Sequence, residues 1–424
     1  MPITALVFLA VFSVGCLVAL KRPFVGLLLY FFVFYMHPPG KYWGAFLPEI
    51  RWTFIVAVVT LLSVIINEKN KKRWLQVGET KLLLIFFAYT CLQLFFVEFT
   101  EVQKTYVILL FKLILLFFLI VTLVNTQTRL YQLVIANCLG AAYIGFTALQ
   151  THSRGRFEAA GLPGIEDGNL LAIHLIPVII MASVIILTDL KKKFLIFLPL
   201  AFAANLLFMS GSRGGLAGLF VAGLFFIWFS PKEKKQLVRR WAVVAALLGS
   251  ALTGPLIIDR VNKVIKADEV EKVDKSAYSR VVIIKGQWEM FKDYPVMGYG
   301  HRGTLILSPI YISQEFMTKT AIGGRRASHN ITMSFLVDHG ILGAGIFFTL
   351  ILTALAKVKL VRTAFSENQI SSLVLLGATS GLFGLMAASQ FSNSKVLEIS
   401  IWTIAIIGSC SLLIRENKSV DGAQ

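Results

Sequence analysis

The apolar positions of this chain do not alternate with polar ones; they run together. Stretches of roughly 16–25 apolar residues recur along the 424 positions, each long enough to cross about 30 Å of hydrocarbon as a helix. Helix is the form expected, because a backbone in lipid must satisfy its amides within its own segment. The runs place spans at 3–20, 23–37, 52–67, 82–99, 105–124, 130–150, 169–189, 194–210, 213–230, 241–258, 331–356, 369–388 and 396–414. The first two are joined only by Lys21-Arg22, so the count is 12 or 13 according to whether one of them is re-entrant. The fold expected is an all-α polytopic integral membrane protein. It divides into N-terminal transmembrane helices over 1–258, a long external loop over 259–329 and C-terminal transmembrane helices over 330–424, within a single membrane domain. The charges of the first span follow it rather than precede it, which predicts a retained helix and not a cleaved signal.

Composition agrees with this pattern. Hydrophobic residues make up 56% of the chain and charged residues 15%, against about 25% charged in a soluble domain. The net charge of +18 is distributed by loop parity. Loops after odd-numbered spans and the tail hold about 21 basic residues, among them Lys69, Arg73, Lys191–Lys193, Lys232, Arg240, Lys357 and Arg362. The short loops of opposite parity hold about 7, which puts the odd set in the cytoplasm and 259–329 outside. The charge is therefore read as an orientation signal with some attraction to anionic lipid headgroups, and not as a nucleic-acid footprint.

Cys16, Cys91, Cys138 and Cys410 all lie in predicted spans without metal-ligand spacing and read as core hydrophobes. The chain has no phosphate-binding P-loop, zinc-protease, dinucleotide or EF-hand motif, and no internal repeat. No metal and no cofactor is expected. Within the spans, Lys112, His174 and Glu398 look scattered rather than gathered at a midplane site, which counts against a transporter.

Polar residues collect instead where spans 7, 9 and 11 begin, on the external side. Before span 7 stand Arg154, Arg156, Glu158, Glu166, Asp167 and Asn169; Asp167 or Asn169 can cap the helix. Span 9 opens on Ser212-Arg213-Gly214-Gly215, with Gly218 one turn on, small residues that let helices approach closely. A cation at a helix start opposes the macrodipole, so Arg213 makes sense where an anion sits between its guanidinium and the free N–H groups. Span 11 opens on His329-Asn330, followed by Gly340, Gly343 and Gly345, which read as helix contacts, and by Asp338, which reads as the partner of a neighbouring helix. In the loop, Val281, Ile284, Trp288 and Phe291 form one stripe with Arg280, Lys285 and Lys292 around it. That pattern predicts an amphipathic helix on the membrane or over a cavity, broken by the turn residues of 293–300.

The H-N-x9-G-x2-G run from His329 to Gly343 resembles the signature of the O-antigen ligase family, which overlaps the O-antigen polymerase superfamily. Ser212-Arg213-Gly214 resembles that family's arginine element. Tyr278-Ser279-Arg280, with the aromatic helix and the turn to Gly300, resembles its arginine-bearing external helix. Lys21-Arg22-Pro23, Met36-His37-Pro38 and Ile165–Asn169 are similar to O-glycosylation ligases associated with exosortase systems. The resemblance implies a GT-C-type glycosyltransferase of the bacterial inner membrane that moves a glycan from undecaprenyl pyrophosphate to an acceptor hydroxyl on the periplasmic face. It is expected to need no metal and to invert the anomeric centre. The acceptor would be a glycan, a lipid A core or a protein. Arg213, Arg280 and, more loosely, Arg156 would hold the pyrophosphate; His329 would be catalytic; Ser212, Asn330 and Asn169 would support them. The alternatives are an O-antigen or exopolysaccharide polymerase using the same donor, and a non-enzymatic lipid or polysaccharide transporter.

Overall fold

The computed structural model of the chain describes residues 1–151, 156–158, 161–188, 190–191, 193–245, 247, 270–316, 324–365, 369–395 and 397–421. Twelve of the thirteen expected spans coincide with helices: α1 (Ile3–Lys21), α2 (Pro23–Met36), α3 (Trp52–Asn67), α4 (Gly78–Gln93), α5 (Thr100–Leu123), α6 (Gln127–Thr151), α7 (Gly168–Ser183), α8 (Phe197–Met209), α9 (Arg213–Phe229), α13 (Ile331–Ala356), α15 (Gln369–Ala388) and α16 (Glu398–Asp421). The tenth, 241–258, falls mostly outside the described residues; its beginning belongs to α10 (Lys232–Ala245), bent by 116° from α9. The external loop contributes α11 (Val270–Asp293) and α12 (Gly303–Tyr311), and α14 (Leu360–Thr363) is a single turn.

Twelve or thirteen independent crossings is too simple a count. Among the described residues, seven helices are long and apolar enough to cross a membrane alone, or eight if α9 and α10 are one broken span. Others are cut short by local chemistry. Helix α2 stops before Pro38-Pro39, since the residue ahead of proline is driven out of helical geometry. The span expected at 82–99 is α4, which starts earlier and ends at Gln93, because the Gln93 amide is bonded into the interior and the chain then turns.

Helices α7, α15 and α16 form the middle of the bundle, with α1 at its edge. The close crossing of α9 over α15 depends on glycine: a Cβ on Gly218 would come within 2.6 Å of the Gly384 carbonyl. His174 and Glu398 are not scattered as expected. The His174 ring lies 5.6 Å from that of Trp402, one turn along α16 from Glu398, and the Tyr30 hydroxyl donates to the Glu398 carboxylate at 2.8 Å. Lys112 is exposed on the flank of α5.

The two ends of the bundle separate as loop parity requires. At one end Arg73 pairs with Glu416 at 3.1 Å, Lys357 with Glu79 at 2.6 Å, and Asn67 donates to the Leu20 carbonyl at 2.8 Å. Those residues all come from loops or helix ends of the basic set. The opposite end gathers 37–51, 94–99, 156–158, 161–168, 210–212, the described part of the external loop and 389–395, as the contacts Gly40–Gly161, Arg156–Ser210, His301–Gln103 and Ile331–Ser389 record.

One junction positions that second end. Helix α13 is interrupted at Gly340, whose φ of 60° and ψ of −171° only glycine adopts without strain. The turn 294–300 docks there through backbone bonds: Tyr299 N–H to the Val337 carbonyl at 2.9 Å, Gly300 N–H to Asp338 at 2.8 Å and Ile341 N–H to Pro295 at 2.8 Å. A Cβ on Gly340 would stand 2.1 Å from the Val296 carbonyl oxygen. Gly340 is thus a break that receives a turn, not the helix contact its spacing predicted. Gly343 does make one, with a Cβ position 2.5 Å from the Tyr89 ring of α4, whereas Gly345 faces open space. Gly340→Ala is expected to cost at least about 2 kcal/mol and lower the thermal midpoint of the detergent-solubilised protein. Gly345→Ala, at a helical and open position, should be neutral or stabilise by up to about 1 kcal/mol; equal behaviour of the two variants in the same unfolding assay would refute the assignment.

Candidate functional site

Below the surface of the second end, a buried polar group fixes the parts. Asp338 is wholly buried and forms an ion pair with Lys395. Its second duty is at the start of α12, where it accepts from the Arg302 N–H at 2.9 Å and the Thr304 N–H at 3.3 Å, satisfying free amides of that helix. Asp338 therefore has the structural partner its position predicted, though from the 389–397 connection rather than from a neighbouring helix. Beside it the Gln93 side chain donates to the Met297 carbonyl at 2.6 Å, and its oxygen meets His339 Nδ1 at 2.8 Å. Tyr106 stacks on His301 with ring centroids 4.2 Å apart.

Above this layer the segment 325–330 is pinned at three alternate residues, Arg326, Ser328 and Asn330. The Arg326 N–H donates to Ser308 Oγ at 2.7 Å, Gln287 donates to Ser328 Oγ at 2.8 Å, and Asn330 caps α13 by accepting from the Met333 N–H at 2.8 Å. His329, held between these anchors, is half-buried. Burial pushes its imidazole pKa below the usual value of 6.5; Arg326 and Arg280 push the same way, and Asp167 opposes them. Three charged side chains from three chain segments thus bear on the His329 imidazole: Asp167 at the start of α7, Arg280 on α11, and Arg326 from the segment ahead of α13.

The caps follow their residue types. Asp167 accepts from the Leu170 N–H at 2.8 Å, so it and not Asn169 caps α7; Asn169 is the second residue of that helix. Ser212 is buried and caps α9, accepting from the Gly215 N–H at 3.1 Å. Arg156 donates to the Ser210 carbonyl at 2.7 Å and pairs with Glu158 at 3.4 Å, which fastens the approach to α7 against the entry to α9. Arg154 lies outside the described residues.

Arg213 stands at the first position of α9 with an exposed side chain. No described hydrogen bond or ion pair engages it, and none joins it to His329. The two are related through 389–391: Asn330 donates to the Gln390 carbonyl at 3.4 Å, and the Gly214 Cβ position is 2.9 Å from Phe391. Arg280 is likewise exposed and outside any described hydrogen bond or ion pair.

Two features escape a reading of the sequence. Arg326 resembles one more charge in a basic loop, although its place three residues before His329 was visible. The inner face of α11 carries Ser279, Ile283, Gln287 and Met290, while the expected stripe of Val281, Ile284 and Trp288 points outward. Apolar residues occur on both sides of this helix, and Gln287 decides the inner one because it reaches both Ser328 and Thr304. Among the described residues no three His, Cys, Asp or Glu side chains group as a metal set.

Removing one member of a buried ion pair leaves the other uncompensated, so Lys395→Met should destabilise the protein by about 3–5 kcal/mol. The double variant Asp338→Asn/Lys395→Met is expected to recover part of that loss. Denaturant unfolding in detergent measures both, and a double variant no more stable than Lys395→Met would contradict the pairing.

Residues 198–348 match the family model described as O-antigen ligase, and residues 3–156 match a family of unknown function (DUF5935). No curated protein matches the chain. The first match takes in Arg213, Arg280, Arg326 and His329, so these four candidate residues fall inside the part of the chain that carries the family likeness. Together with its apolar helices, this makes the chain a multi-pass membrane protein whose residues 198–348 are similar to O-antigen ligases, a likeness that supports a ligase- or glycosyltransferase-like role in polysaccharide biosynthesis.

Proposed function

We propose that the protein transfers a glycan from a lipid-linked pyrophosphate, of the undecaprenyl type, to an acceptor hydroxyl at the periplasmic face of the inner membrane. The observation that carries this reading is a half-buried His329, anchored between Ser328 and Asn330, on which the charges of Arg326, Arg280 and Asp167 bear at the end of the bundle away from the basic loops. Breaking the bond between the anomeric carbon and the phosphate oxygen sends an electron pair and growing negative charge onto the diphosphate. Fixed guanidinium groups in a partly dry site stabilise that charge, and their planar forks suit phosphate oxygens. The acceptor oxygen forms the new bond to the anomeric carbon and its proton passes to the imidazole of His329. Direct attack inverts the anomeric centre. Arg213 and Arg280 serve the leaving diphosphate, with Arg156 as a third cation that also ties Ser210 in place; Ser212, Asn330 and Asn169 belong to the helix starts around them.

The pH dependence follows from the direction of the His329 shift. An imidazole that loses its proton more readily than usual is neutral, and able to accept a proton, at pH 7. Transfer should hold down to a pH below 6.5 and fall as the pH drops through the lowered pKa. Arg280→Gln removes one of the charges that lower it, so the acid limb of the surviving activity should move up toward 6.5, as a pH–rate profile would register.

In purified or membrane-embedded protein supplied with undecaprenyl-pyrophosphate-linked glycan, Arg213→Ala, Arg280→Ala and His329→Ala should each lower transfer by about 100-fold or more while the protein still inserts. Wild-type transfer in all three would remove the site assignment. A ladder of lipid-linked polymer in place of a ligated product would identify a polymerase working on the same donor.

A further inference from the structure

We propose that Arg326 is a fourth anion-binding residue of this site and holds a phosphate of the lipid-linked donor directly beside His329. The inference rests on the pyrophosphate-donor reading above and adds to it a residue from the connection between α12 and α13.

Arg326 Nε is shielded from solvent and has no hydrogen-bond partner. Leaving a buried donor unpaired costs about 1–3 kcal/mol, and more when the group is charged. Among the described residues, cations with buried side chains are answered: Lys395 by Asp338, Lys357 by Glu79, Arg73 by Glu416 and two backbone carbonyls. Arg326 has no such carboxylate, although its backbone is fixed with care. Its own N–H is bonded to Ser308, Ser328 two residues on is bonded to Gln287, and Asn330 closes α13.

The guanidinium therefore stands in a defined place, and among the described residues no carboxylate pairs with it. The charged groups that act on neighbouring His329 are Arg326 from this segment, Arg280 from α11 and Asp167 from the start of α7. Two guanidiniums against one carboxylate leave a positive excess at the imidazole. A diphosphate offers two anionic groups, and a planar fork with an additional Nε–H donor can take two oxygens of one phosphate at once.

Geranylgeranyl pyrophosphate is a suitable probe, because it carries the lipid diphosphate without any glycan. Its binding to the full-length protein in detergent can be measured by titration calorimetry for the wild type, Arg326→Ala, Arg326→Lys and Arg280→Ala. Thermal unfolding and helical content of each variant are recorded alongside. The expected result is about a tenfold weaker affinity in Arg326→Ala, partial rescue by Arg326→Lys, unchanged unfolding, and a smaller loss for geranylgeranyl monophosphate. Wild-type affinity in Arg326→Ala with weakened Arg280→Ala overturns the role of Arg326 and leaves the donor reading standing. Undiminished binding in both variants, or no binding to the wild type, overturns the two together. Should Arg326→Ala unfold early, Arg326→Lys and Arg326→Gln decide: equal affinities in two folded variants would reject the phosphate contact.

Discussion

The geometry of the external end depends on a backbone junction. Helix α11 carries Arg280, and the start of α13 carries His329; each has its own anchorage in the bundle. Besides the Gln287–Ser328 hydrogen bond, what joins them is the turn 294–300 seated in the break of α13, where main-chain amides of one element bond to main-chain carbonyls of the other. Such bonds do not depend on side-chain rotamers and form a short rigid bridge in an interior where unpaired amides are costly. The glycines at 298, 300 and 340, all at positive φ, are the requirement of that seat.

Around the junction the electrostatics are one-sided. Helices α7, α9 and α13 all begin at this end, and each is closed by its own side chain: Asp167, Ser212 and Asn330. A cap satisfies one of the four free N–H groups, so the positive end of each helix dipole still points outward. Arg156, Arg213, Arg280 and Arg326 add full charges to those partial ones. Buried carboxylate is spent elsewhere: Asp338 lies one layer down, where it is neutralised by Lys395 and by the amides of α12. The two layers thus divide their labour, the lower one balanced and structural, the upper one left with surplus positive charge.

Much of this was legible in the amino-acid order. Long apolar runs gave twelve helices in their places, and loop parity separated the two ends, because hydrophobic length and lysine or arginine bias act locally. The cap of α7 was legible down to a choice between Asp167 and Asn169, because such side chains ahead of an apolar run accept from its free amides; the caps made by Ser212 and Asn330 were not read from the sequence. Tertiary matters were hidden. Gly340 carried the right spacing with the wrong meaning, since a glycine that admits a neighbouring helix and one that breaks its own helix look alike in one dimension. In α11 the inner face was not legible because Gln287 is polar and its partners, Thr304 and Ser328, lie 17 and 41 residues away. His174 and Glu398 looked scattered because nothing local shows that Trp402 draws them together.

The break in α13 has a mechanical consequence. Nine helical residues separate Asn330 from Gly340, so the imidazole rides on an arm about 14 Å long, pivoted at a residue with no side chain. A rotation of only about 4° at that pivot sweeps the ring by about 1 Å, the displacement at which a positioned group forfeits about a hundredfold in rate. The clamp that stops this swing is made of the three peptide groups contributed by the docked turn, which gives the stretch from Tyr294 to Gly300 leverage over a reaction centre it never touches.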